Sequence, residues 1–140
     1  MTAWRQLDLL KSRRQRGIKA PSAKEFPVHC MVADLLRLSI APGWLWFHPA
    51  NGEFRDRAAA GRLKRMGVKP GISDFILIAP PIGCVHALEL KRYKVKPTSE
   101  QLEFLNAVIA AGGRSACVDN FDAAIYVLKQ WGAVRVKVAA

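Results

Sequence analysis

The apolar positions Val28, Met31, Val32, Leu35, Leu36 and Leu38 recur at helical spacing. Ser22 and Glu25 have the separation of a capping box, so a helix is predicted from about Ser22. Pro27 is compatible only with a first helical turn, which moves the start towards Phe26. Pro42-Gly43 ends this helix, and WLWFH, Trp44 to His48, reads as a short strand with Trp44 and Trp46 on its buried side. PANGE is a turn, followed by a helix over about Arg55 to Met66 that stops at Gly67. FILIAP-PIG-CVHALELK is a nearly continuous apolar hairpin. Thr98 and Gln101 again have capping-box spacing, opening a helix that runs to Gly112-Gly113. A strand at Ser115 to Val118 and a helix capped near Asp119 or Asn120, carrying Ile125, Val127, Leu128 and Trp131, complete the chain. The order α, β, α, β, β, α, β, α predicts an α/β sandwich: a central mixed sheet flanked by helices.

Charge then changes the picture. The chain has 140 residues, is 51% hydrophobic, and carries a formal net charge of +11. One globular domain with a real core follows, and the basic excess points to a polyanionic partner, most simply nucleic acid. Residues 1–20 crowd Lys11, Arg13, Arg14, Arg16 and Lys19 around Gly17, and read as a solvated, flexible arm able to touch phosphates. The folded domain is expected over 21–132, and the alternating tail 133–140 as an edge strand or an unstructured end. No apolar run approaches the roughly 20 residues that span a bilayer, so no membrane partner is expected. The first residues lack a secretory signal's apolar core. The three cysteines Cys30, Cys84 and Cys117 are widely separated, which suggests a reducing, cytoplasmic compartment. Cys84 and His86, with His29, Cys30 or His48, fit the spacing of no zinc finger or ribbon.

The hairpin carries three charges. A turn centred between Pro81 and Ile82 pairs residues whose numbers sum to 163, which puts Asp74 opposite Glu89. Alternation places Glu89 and Lys91 on one face with Asp74, and His86, Leu88 and Leu90 on the other. Facing carboxylates repel in a β-pair, unless a cation lies between them. Lys91 as an ordinary ion pair on a solvated sheet edge satisfies this, and so does a divalent metal on carboxylate oxygens. The preceding GRLKRMGVKPG adds Arg62, Lys64, Arg65 and Lys69, a basic approach suited to a phosphodiester strand.

Asp74, followed fifteen residues later by Glu89-Leu90-Lys91, resembles the PD-(D/E)XK nuclease signature. The longer ordered set resembles the VRR-NUC family of virus-type replication and repair nucleases. It comprises Glu25, HPANG from His48 to Gly52, GRLKRMGVKPGISD from Gly61 to Asp74, ELK from Glu89 to Lys91, and Gln101. The resemblance implies a restriction-endonuclease-like fold. It implies Asp74, Glu89 and the Leu90 carbonyl as ligands of Mg²⁺ or Mn²⁺, with Glu25 assisting from the first helix. Lys91 would be the catalytic lysine, and Gln101 would position water, Lys91 or phosphate. Arg62, Lys64, Arg65, Lys69, His48 and Asn51 are the candidate DNA contacts. The implied activity is metal-dependent, structure-selective cleavage of DNA, branched forms such as four-way junctions or flaps included, by a homodimer needing no small-molecule cofactor. A non-catalytic nucleic-acid-binding subunit that keeps the fold is the alternative. The chain departs from the pattern at Ser73, where Pro is usual, at His29, where Gln is common, and at Ala50 in the loop.

Overall fold

The computed structural model describes residues 25–50 and 57–135. Its elements are α1 (Glu25–Ser39), β1 (Leu45–Phe47), α2 (Arg57–Arg65), β2 (Phe75–Ala79), β3 (Cys84–Leu90), α3 (Ser99–Ala110), β4 (Arg114–Val118) and α4 (Phe121–Trp131). The order is the one the sequence predicts. Asn51, the basic arm over 1–20 and the tail beyond residue 135 lie outside the described residues.

The sheet runs β1-β2-β3-β4, antiparallel at the first two junctions and parallel at β3/β4. α3 makes the crossover that a parallel pair requires. In the hairpin Phe75 faces Leu88 and Ala79 faces Cys84, the register expected from the turn position. β2 and β3 are therefore interior strands, and the charged end of the hairpin is no solvated edge.

Side-chain alternation divides the core between two faces. On one, α1 and α4 cover Phe75, Leu77, Leu88, Leu90, Ala116 and Val118, together with Val32, Leu36, Val127 and Leu128. Trp44 and Trp46 pack against this cluster, as period-2 burial predicts, while Leu45 and Phe47 face outward. Buried His86 lies between Trp44 and Trp131 with ring centroids 5.1 and 4.9 Å away. Val134 pairs with Ile40 in an isolated bridge and closes the edge of this layer.

The other face is thinner. Ile76, Ala87, Leu105 and Val108 form its buried cluster, with Ile72, Phe104 and Cys117 beside them. The Ser115 hydroxyl donates to the Leu105 carbonyl at 2.9 Å and ties α3 to the sheet. α2 buries no residue and contributes to neither cluster. It holds Arg62, Lys64 and Arg65 exposed in its last turn, with exposed Lys69 in the loop beyond.

Candidate functional site

The three hairpin charges gather where β2 begins and β3 ends. Glu89 is 2% exposed, so its carboxylate is taken out of water on the thin face. Such burial requires hydrogen bonds and a countercharge. Lys91 Nζ lies 3.1 Å from Glu89 Oε1, and Gln101 Nε2 donates to the same oxygen at 2.6 Å. The Lys91 side chain is itself only 11% exposed.

Gln101 reaches this oxygen because of how α3 begins. Thr98 Oγ1 accepts from the Gln101 backbone N–H, and Gln101 Oε1 accepts from the Thr98 N–H at 2.9 Å, a complete capping box. The sequence presents cap and site as competing roles for Gln101, and the structure combines them. Using the amide oxygen in the cap leaves the NH₂ end to donate to Glu89, so the cap fixes which way the amide faces. Gly71 makes the docking possible: at φ +76° an added Cβ would lie 2.5 Å from the Glu100 carbonyl carbon and 2.7 Å from Gln101 N. The loop entering β2 thus runs directly against the start of α3, where only glycine fits.

Asp74 ends that loop. Its Oδ2 accepts the Leu90 N–H at 2.8 Å, which continues the hairpin pairing through a side chain. In an antiparallel ladder a residue's N–H and C=O face the same partner strand. The Leu90 carbonyl therefore points to the Asp74 side. Beside Asp74, Ser73 is fully buried, and its hydroxyl has no hydrogen-bond partner among the described residues.

Imidazoles occupy the far side of Asp74. His48 Nδ1 lies 2.6 Å from the Asp74 carbonyl oxygen. A carbonyl can only accept, so Nδ1 carries the proton and donates. His29, one helical turn beyond Glu25 in α1, places Nδ1 3.7 Å from Asp74 Oδ1 and stacks on Phe75 at 4.4 Å between centroids. The His29 and His48 rings meet edge to face at 4.4 Å. Among the described residues, His29, His48 and Asp74 each offer one ligand atom within 4.8 Å of the others. Glu89 is not a member of that set.

Of the residues singled out from sequence, Asp74, Glu89, Leu90, Lys91, Gln101 and His48 come together at this end of the sheet. Glu25 opens α1 one turn before His29, and the basic residues of α2 stand on a separate exposed helix. The place of His29 beside Asp74 and the steric role of Gly71 were not read from the sequence. His29 was visible as a departure from the family pattern and among residues that fit the spacing of no zinc finger or ribbon, and Gly71 only as one glycine of a loop.

As to known proteins, no family model and no curated protein matches the chain. A solved structure of a VRR_NUC domain protein superposes with a TM-score of 0.65, covering 85% of this chain and 100% of the other at 22% identity. With its mixed sheet, flanking helices and charged hairpin end, the chain has the fold of a VRR-NUC domain.

Proposed function

We propose that the chain is a metal-dependent, structure-selective DNA endonuclease that hydrolyses phosphodiester bonds in branched DNA such as four-way junctions or flaps, working as a homodimer. The observation that carries this reading is the buried Glu89–Lys91 pair at the end of β3, with Asp74 Oδ2 accepting from the Leu90 N–H between them, on a fold shared with a VRR_NUC domain protein. Carboxylate and carbonyl oxygens suit a hard divalent cation. Asp74, Glu89 and the Leu90 carbonyl are the groups that would hold Mg²⁺ or Mn²⁺, with Glu25 assisting. When bound, the ion supplies charge neutralisation at the phosphate and acidifies a water molecule.

The remaining work falls to the chain. Lys91, held on Glu89 Oε1, orients the attacking water as the ammonium or, as the neutral amine, takes up its proton. Gln101 fixes the Glu89 carboxylate from the capped start of α3. Arg62, Lys64, Arg65 and Lys69 supply exposed positive charge for the phosphates flanking the cut. His48 borders the site, and Asn51, three residues further along the sequence, is a further candidate DNA contact.

The test is cleavage of labelled duplex, 5′-flap and four-way-junction DNA with Mg²⁺, Mn²⁺ or EDTA, beside Lys91→Ala. Metal-dependent cutting that falls by about 10²–10⁴-fold in the variant is expected, the usual contribution of a positioned acid–base group. Binding without cutting under every metal condition establishes the non-catalytic subunit instead.

A further inference from the structure

His29, His48 and Asp74 come from three places in the chain: α1, the loop after β1 and the loop before β2. Two of the three are imidazoles, which bring nitrogen to a point where the proposed catalytic centre uses oxygen. We infer that these three side chains form a binding site for a first-row transition-metal dication of the Zn²⁺ and Co²⁺ kind, which Mg²⁺ does not fill.

The hydrogen bond of His48 is the first argument. Its Nδ1–H is donated to the Asp74 carbonyl, so in the neutral ring the lone pair sits on Nε2. A metal-binding histidine characteristically donates its other ring N–H to a carbonyl or carboxylate, which fixes tautomer and ring orientation. Asp74 is the second. Its Oδ2 is committed to the Leu90 N–H, and this sets Oδ1 towards His29. The 3.7 Å between His29 Nδ1 and Asp74 Oδ1 is longer than a direct hydrogen bond. Two ligands on one ion, each about 2.1 Å from it, stand about 3.0–3.4 Å apart at octahedral or tetrahedral angles. A small rotation of either side chain brings the pair to that spacing. Phe75 supports the His29 ring from below and limits its motion.

Ligand type then decides which ion. Imidazole favours Zn²⁺, Fe²⁺, Co²⁺ and Ni²⁺, whereas Mg²⁺ demands oxygen donors and releases water reluctantly. Asp74 belongs to both sets, and the two imidazoles give the transition-metal ion the stronger hold on it. The site itself does not rest on the nuclease reading. Its consequence for catalysis does: occupation by Zn²⁺ redirects Asp74 from the oxygen-ligand set.

The full chain, stripped with EDTA and dialysed, is titrated with Co²⁺ alone while visible absorption is followed. Saturable d–d bands at one equivalent are expected, without a thiolate charge-transfer band. Zn²⁺ should abolish them and millimolar Mg²⁺ should not. His29→Gln and His48→Gln should each weaken Co²⁺ binding by at least about 10–100-fold, the range already seen for outer partners of metal ligands, whereas Cys30→Ser should leave the bands unchanged. Circular dichroism monitors folding of each variant. If a variant unfolds, protection of two histidines from diethylpyrocarbonate by Zn²⁺ in the unaltered chain provides the same test. Co²⁺ binding that survives both substitutions, yields to Mg²⁺ or never occurs overturns the inference. No DNA is present, so failure of the nuclease reading registers separately: such a chain binds Co²⁺ and cuts nothing.

Discussion

The two faces of the sheet are built differently. The α1/α4 face buries a broad apolar cluster, with the buried imidazole of His86 enclosed by two tryptophans. The α3 face buries four apolar side chains and then, in line with them, a carboxylate with its lysine and glutamine. Stability is concentrated on the broad face. The thin face gives up apolar area to hold Glu89 out of water, and its geometry depends on hydrogen bonds that must all be satisfied together.

Truncations of equal size give the strongest test of that difference. Leu36 and Leu105 are both 0% exposed, one on each face. Leu→Ala changes cost about 2–5 kcal/mol according to how far the surroundings collapse. Leu36→Ala should lie near the top of that range and Leu105→Ala near the bottom, as chemical denaturation would measure. Equal losses would mean that the two faces bear load alike. Removing Gln101 comes next. Gln101→Ala deletes a hydrogen bond to a buried charge, worth about 1.5–3 kcal/mol, whereas Thr98→Ala removes a cap worth about 1 kcal/mol. A fall in melting temperature no larger for Gln101→Ala than for Thr98→Ala would mean that the bond to Glu89 adds nothing beyond the cap.

Gly71→Ala should destabilise by about 1–3 kcal/mol, the usual strain of a side chain forced into the left-handed region. It should also lower cleavage out of proportion to stability, since the new Cβ pushes the start of α3 away from Glu89. Normal cleavage in a folded Gly71→Ala protein would separate the loop from the site. The smallest effect belongs to pH and to the broad face. Burial lowers the pKa of His86; the Cys84 carbonyl acts in the opposite direction and the charge of Arg114 adds to the lowering. The unfolded chain therefore binds this proton near pH 6.5 and the folded chain only at lower pH. The stability held above that value is lost as pH falls from about 6.5 towards the folded pKa. In His86→Phe that part of the pH dependence should disappear from urea midpoints measured between pH 5 and 8.

What was legible in the sequence follows from distance along the chain. The hairpin register is local, fixed by a turn and by alternation, so the pairing of Phe75 with Leu88 and the approach of Asp74 to β3 could be worked out on paper. Gln101 was legible as a residue and illegible as a role, because capping-box spacing says nothing about what the second end of an amide touches. The pairing of His29 with His48 requires α1 to be laid across the sheet at a known angle, and no periodicity supplies that angle. The direction of the Asp74 carboxylate was hidden for a related reason. Alternation points it towards Glu89, but past the end of β2 the side chain takes the place of a missing strand hydrogen bond on Leu90.

The turn between β2 and β3 stands at the opposite end of the hairpin from these charges. Ile82 at its tip is 88% exposed, and five strand residues at about 3.4 Å each set it roughly 17 Å from the start of β2. That separation makes the tip a handle. A fluorophore, an affinity tag or a surface tether attached there reports on the protein while leaving the charged end of the sheet open to a nucleic-acid strand.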